Sequence, residues 1–309
     1  MRRKIALAAF LLAFTAGVSF AQPAYYVHPP TTPQTAPLTV AGQKNVDFVL
    51  NWWREVIEAR HMDLAPNYQA EDYIQHNPNV PTGRAAFVKF ISSRGPRIDP
   101  IPAKLKRAPV VKGAKDSFVW LIFQEEGHPK GKDAPAPAAR TLYASSFDLI
   151  RIQNGKVQEH WDSAGKWPGS PVFVPSTAAP ASTWITTQPT ADEERNLELA
   201  TRLLKDVYQY GHLELLDTLL APNFIEHNPT VPSDRAGLKQ FISSKPDFAP
   251  QKIQAEWKRA PVLQFVNGPY VFMMWEHKHP EPSNASLDYT SNSFEVLRVE
   301  DGVIKEAWD

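Results

Sequence analysis

The chain repeats itself, and that limits what it can fold into more than any other feature. Residues 73–93 read YIQHNPNVPTGRAAFVKFISS, and residues 224–244 read FIEHNPTVPSDRAGLKQFISS, a spacing of 151 (His227 minus His76). RAPV recurs at 107 and 259, a His-Pro pair at 128 and 279, and EHWD ending at 162 returns as EAWD ending at 309. A repeat of this length predicts a tandem duplication in which each copy is a fold unit with its own core. Differences between the copies then act as substitutions within one framework.

The flanking segments set the expected boundaries. Residues 1–21 carry Arg2, Arg3 and Lys4, an apolar run from Ile5 to Phe20 and a small-residue ending, the pattern of a secretory signal peptide. The run is short for a membrane span, so the expectation is a secreted or periplasmic protein with no membrane partner after cleavage. Residues 22–44 read as a Pro/Thr-rich connector, 45–163 as the first domain, 164–194 as a linker and 195–309 as the second domain. At about 115 to 120 residues, each unit has a common domain size. Trp167, Phe173, Val174 and Trp184 give the linker enough apolar surface to pack in part against a domain.

Composition removes several chemistries. There is no Cys, which excludes disulfides, thiolate catalysis and cysteine-ligated zinc. Lys and Arg number 33 against 33 Asp and Glu, and nothing suggests the basic excess that a nucleic-acid partner requires. No nucleophile elbow, phosphate loop or zincin helix occurs. No cofactor is implied. His277 and His279 share one strand face, but a third metal ligand is not evident, so no metal is expected.

Apolar residues at helical spacing open each unit: Val46, Val49, Leu50, Trp53, Val56 and Ile57, then Leu197, Ala200, Leu204, Val207 and Tyr208. Thr190 with Glu193 forms a capping box before the second stripe. Further helices are predicted over 62–68 and 84–92, and over 213–220 and 235–243. Strands are predicted over 103–111, 117–124, 141–152 and 157–162, and again in the second unit. Helices followed by an antiparallel meander make the fold class α+β, with helices on one face of a curved sheet.

Asn154-Gly155 and Asp301-Gly302 are strong signals for two-residue hairpins. Pairing Gln153 with Lys156 and counting outward sets Asp148 opposite Trp161, and the same count sets Glu295 opposite Trp308. Each unit is thus expected to hold a carboxylate beside an indole. Ile150 and Ile152 share the face of Asp148, and an apolar site there would raise the carboxylate pKa into the range of a useful base. The same count places His160 on the opposite face, unless a one-residue bulge flips the register.

The combination of HNP-x-VP before a helix, a late His-Pro and FDLIRIQNGKVQEHWD resembles the SnoaL-like polyketide cyclase branch of the NTF2-like superfamily. The resemblance spans about 45–163 and 195–309. It implies two cone-shaped barrels, each of three helices packed on a curved antiparallel sheet around an apolar pocket, often dimerising through the sheets. It also implies an acid/base Asp before the final hairpin, assisted by a His on a neighbouring strand. Asp148 matches that Asp and His128 the His, with Glu295 and His279 in the second unit.

His76 and His227, aimed by the following Asn-Pro turn, serve either the pocket wall or the turn itself. Trp161, Ile150 and Trp120 complete the expected first pocket, and Trp308 and His227 the second. Three readings stay open. One is a cofactor-independent lyase or isomerase acting on a small, mostly apolar carbonyl ligand in the first domain. The second is a binding module without chemistry, and the third is a scaffold whose two domains pair within one chain. The loop from Gly127 to Ala139 is expected to border the first pocket as a lid.

Overall fold

The computed structural model describes residues 26–127, 142–167, 169–173, 182–245 and 248–309. The expected signal peptide, His128 and the expected lid beyond Gly127 lie outside these residues.

Each half begins with a long helix set by its apolar stripe. Helix α1, Val40–Trp52, starts on the Thr39 cap, whose hydroxyl accepts from Gly42 N, and runs on into a wider π-helical turn, Trp53–Glu58. The segment expected as a connector thus supplies the first turn of α1. A short α2, Ala65–Tyr68, leads into β2, Gln69–Gln75, and α3 covers Arg84–Ser92. Strands β3 (Val111–Lys115), β4 (Phe118–Gly127), β5 (Leu142–Gln153) and β6 (Lys156–Asp162) follow.

The second half repeats the order. Helix α4, Ala191–Thr201, carries the capping box predicted at Thr190 and Glu193 and again ends in a π-helical turn, Arg202–Val207. Then come α5 (Leu216–Leu219), β7 (Leu220–Glu226), α6 (Arg235–Ser243), β8 (Leu263–Asn267), β9 (Tyr270–Glu281), β10 (Asn284–Glu300) and β11 (Val303–Trp308). The architecture is mixed α+β.

One sheet has the order β1-β3-β4-β5-β6-β2, with β1 at Gln34–Thr35, and the other β7-β11-β10-β9-β8. The central strands are antiparallel as expected, but β2 joins β6, β7 joins β11 and β1 joins β3 in parallel. These edge strands were not read from the sequence, and the region 103–110 expected as a strand holds none. The fully antiparallel meander is therefore corrected to a mixed sheet.

Apolar side chains alternate along the central strands, and each sheet has two buried faces. Val119, Leu121 and Ile150 pack under the first set of helices, and Val271, Met273 and Leu297 under the second. The opposite faces meet in a shared core containing Phe118, Trp120, Trp161, Phe265, Phe272 and Trp308. Phe147 and Phe294 stack across it at 5.6 Å and 8° between planes. Each large apolar side chain buried there contributes about 1.5 to 3 kcal/mol, so the halves are held by hydrophobic burial.

One buried amide fixes the register between the sheets. Asn267 Oδ1 accepts from Ala114 N (3.1 Å) and Trp120 Nε1 (3.3 Å), and its Nδ2 donates to Pro37 O (2.8 Å). Gly113 leaves room for this contact, since a Cβ there would sit 2.5 Å from both Asn267 Oδ1 and the Trp120 ring.

Candidate functional site

Asn154 and Gly155 both adopt positive φ, as do Asp301 and Gly302, so each expected hairpin turn forms. Gln153 faces Lys156 as counted, but the pairing then skips Gln158 and resumes at Arg151 opposite Glu159. The second half skips Lys305 in the same way. A bulge inserts one residue and bends the strand. Beyond it, every side chain of β6 changes its face relative to the uninterrupted count.

The expected acid–indole pair is therefore not formed. Asp148 faces Asp162, Leu149 faces Trp161 and Ile150 faces His160. In the second half Val296, not Glu295, faces Trp308. His160, set aside in the sequence count, comes onto the face of Asp148.

A cavity of about 590 Å³ opens over that face in the first half. Trp53, Ile57, Val80, Phe87 and Ile91 supply apolar wall, Arg94, Arg107 and Glu125 add charged groups, and Asp148, His160 and Asp162 form a polar cluster. His160 Nε2 and Asp148 Oδ1 are 2.7 Å apart. On its other side, His160 Nδ1 lies 3.1 Å from Gln75 Nε2 and 3.2 Å from the Tyr73 hydroxyl. Asn77 N donates to Gln75 Oε1 (3.0 Å), which pins the amide so that its NH₂ faces the imidazole. His160 Nδ1 accordingly accepts, and Nε2 carries the proton donated to Asp148.

Burial opposes charge on His160, but the Asp148 hydrogen bond and the charges of Asp148 and Asp162 outweigh it and raise the imidazole pKa. Asp162 is raised by burial and by Asp148, against the pull of His160 and a hydrogen bond from Asn77. The Tyr73 hydroxyl is pushed well up by burial and by the two nearby aspartates. Burial and neighbouring charge thus favour the protonated forms of His160 and Asp162 in a part-dry setting, a condition for acid/base exchange.

Donor atoms of Asp148, His160 and Asp162 lie within 4.8 Å of one another, near enough to surround one ion. The tautomer opposes that use. A metal at Nε2 would move the imidazole proton to Nδ1, where it would meet the donor end of the pinned Gln75 amide. The cluster fits proton transfer better than a metal centre.

The other expected site residues fall elsewhere. Ile150 is buried in the core beneath the helices, on the face of Asp148. Trp161 and Trp120 are fully buried in the core between the sheets and do not line the cavity. His76 stacks on Trp161 at 4.4 Å and bonds Glu159 (3.2 Å), which Arg151 also holds. His227, Trp308, Glu306 and Arg298 repeat this arrangement, with a stack at 4.7 Å. These groups brace the sheet interface. His279 stacks on Tyr289 at 5.0 Å and bonds Ser291 Oγ, far along β9 from Glu295, which pairs with Met273.

Glu295 occupies the register position of Asp148 in a second cavity of about 400 Å³, together with Asp309. Leu297 pairs with Ala307 where Ile150 pairs with His160, so no imidazole reaches these acids from that position.

No family model matches the chain, and no curated protein matches it. Among solved structures, it is similar to a protein from Acidithiobacillus ferrooxidans provisionally assigned as a polyketide cyclase, at 13% identity and TM-score 0.29, over 40% of this chain and 89% of that one. An epoxide hydrolase of the LEH-like type from M. tuberculosis aligns at 9% identity and TM-score 0.28, over 40% and 83%. A SnoaL-like polyketide cyclase from Agrobacterium tumefaciens aligns at 12% identity and TM-score 0.26, over 38% and 88%.

Proposed function

We propose that the chain is an exported tandem pair of SnoaL-like, cone-shaped units whose first unit binds a small, mostly apolar carbonyl compound and moves a proton on it without a cofactor. The observation that carries this reading is the 2.7 Å contact between Asp148 and His160 in the polar cluster of a partly apolar cavity. Asp148 removes a proton from the carbon beside the substrate carbonyl. That C–H bond breaks, and its electron pair passes to the carbonyl oxygen as an enolate. The enolate is then reprotonated at another carbon, as in an isomerase, or attacks a second carbonyl, as in an aldol cyclisation. His160 orients the Asp148 carboxylate through Nε2–H, and the Gln75–Asn77 contacts hold the ring in that tautomer.

The probe reaction is exchange of the α-hydrogens of cyclohexanone in D₂O, followed by NMR. Asp148→Asn should abolish protein-dependent exchange, and Glu295→Gln should retain it. Equal exchange in wild type and Asp148→Asn would remove the catalytic part and leave a binding module, which native mass spectrometry of the purified protein would show as a co-eluting small molecule. The shared core between the sheets supports intramolecular pairing of the two units, for which light scattering should report a monomer. Export predicts that the mature protein, sequenced from its N-terminus, begins at Gln22.

A further inference from the structure

The cavity at Glu295 lies where the halves meet, and it is built from both. Ser145 and Phe147 come from β5, Asn292, Phe294 and Glu295 from β10, and Trp275 from β9. Asn292 is only 5% exposed. Its Nδ2 donates to Asp162 O (3.4 Å), while Oδ1 has no hydrogen-bond partner among the described residues. Ser145 Oγ is buried without one as well. An unpartnered buried acceptor costs about 1 to 3 kcal/mol, and a donor arriving in the cavity would recover it.

The charged groups lining this space are both acids, Glu295 and Asp309, and no Lys, Arg or His among the described residues lines it. In the first half the corresponding acids, Asp148 and Asp162, have the His160 imidazole between them. At Ala307 the second half has removed that group and left the acids. Acceptors, negative charge and three aromatic rings select a ligand that brings N–H donors and positive charge on an apolar body. A volume of about 400 Å³ is far more than a single ion fills, since even a water takes roughly 30 Å³.

We propose that this inter-half cavity is a binding site for a small organic ammonium ion, a primary amine on a short apolar stem. Its NH₃⁺ group donates to Glu295 and to Asn292 Oδ1, beyond the end of β11, while Trp275, Phe147 and Phe294 cover the stem. The electrostatics agree. Burial, then the charges of Asp309 and Glu226, pushes the Glu295 carboxyl well above its ordinary range. Glu226 is raised by burial and Asp309, and the Tyr208 hydroxyl by burial and all three acids. Lys245 is the cation that acts on Asp309 from outside. A bound ammonium ion reverses the penalty on the carboxylate, so binding releases the proton that burial favours there.

Isothermal titration calorimetry of the full chain with n-pentylamine, n-pentanol and calcium chloride tests this. Pentylamine should bind at least tenfold more tightly than pentanol, with proton release measured as a dependence on the buffer's heat of ionisation. Glu295→Gln should weaken the amine at least tenfold, and it should fold because it replaces a carboxyl already disfavoured as an anion by a neutral isostere. Ala307→His should also weaken the amine, by supplying an internal N–H donor to Glu295. Asp148→Asn should leave amine affinity unchanged, so the outcome is independent of the proton-transfer reading. Equal binding of pentanol, calcium binding without amine binding, no amine binding, or unaltered amine affinity in both Glu295→Gln and Ala307→His would each overturn the proposal.

Discussion

The two halves share strand order, hairpin turns and even the bulge, yet the acid-bearing ends of their concave faces have diverged while the His–Trp stacks between the sheets have not. Toward the partner sheet, His76 on Trp161 and His227 on Trp308 are near copies, each with its own Glu and Arg. Toward the helices, Gln75, Asp148, His160 and Asp162 become Glu226, Glu295, Ala307 and Asp309. Close packing between sheets tolerates little change of volume. A cavity wall has no such constraint, so its chemistry is free to drift or to specialise, and the difference between the halves locates what each can do.

The interface side should give the largest effects, and equal ones if the likeness is energetic as well as geometric. Trp161→Ala and Trp308→Ala should each lose about 3 to 5 kcal/mol of unfolding free energy in guanidinium titrations, the usual range for a fully buried Trp. Trp308 should lie at the upper end, because its Nε1 also donates to Thr31 Oγ1 (3.0 Å), whereas Trp161 Nε1 is buried without a partner. A loss below 1 kcal/mol at either position would show that the halves adhere through other contacts.

Crossing the concave faces is the next test. His160→Ala gives the first half the arrangement of the second, and should lower cyclohexanone exchange about 10²-fold, the scale of a catalytic group left misplaced. Stability should also fall, since Asp148 would lose the Nε2–H donor and face Asp162 without the imidazole between them. If exchange persists while the protein remains folded, the dyad is not the engine of proton transfer.

The pH dependence should separate the halves. A carboxyl raised on folding, such as Glu295 or Glu226, is more protonated in the native than in the unfolded chain once the pH exceeds its ordinary 4.5. Stability therefore falls as the pH climbs from 4.5 through the folded value. His160 acts in the same direction in a later window: its stabilising contribution is complete below 6.5 and is lost as the pH passes the raised folded value. Glu295→Gln should thus raise the melting temperature above pH 5 and flatten its decline, while His160→Ala should flatten only the part beyond 6.5. A wild-type profile rising from pH 5 to pH 8 would contradict both assignments.

The sequence announced the helices at 84–92 and 235–243, the capping box and both hairpin turns, because periodicity, cap residues and Asn-Gly or Asp-Gly act locally. It did not announce the bulges at Gln158 and Lys305, which depend on how β6 and β11 bend to meet the parallel edge strands β2 and β7. One extra residue then moved Trp161 to the sheet interface and brought His160 beside Asp148. Gln75 lies in the repeat without any role read for it, and its part in setting the imidazole tautomer exists only once β2 lies against β6. The repeat held one usable hint: Ala307 in the place of His160 marks a position where the two concave faces differ.

The smallest contrast lies at the helix starts. Helix α6 is capped by Asp234, whose carboxylate accepts from Gly237 N (2.7 Å). At the same place α3 has Gly83, with φ +91° and no side-chain cap. Asp234→Ala should cost about 1 kcal/mol, the common value of a lost N-cap. Gly83→Ala meets no atom within 4 Å, so its cost, about 1 to 2 kcal/mol, would come from the left-handed backbone alone. Thermal melts of the two variants compare a cap made by a side chain with one made by conformational freedom. A neutral Gly83→Ala would mean that the α3 start relaxes to negative φ, and that the two halves are closer in their turns than their sequences suggest.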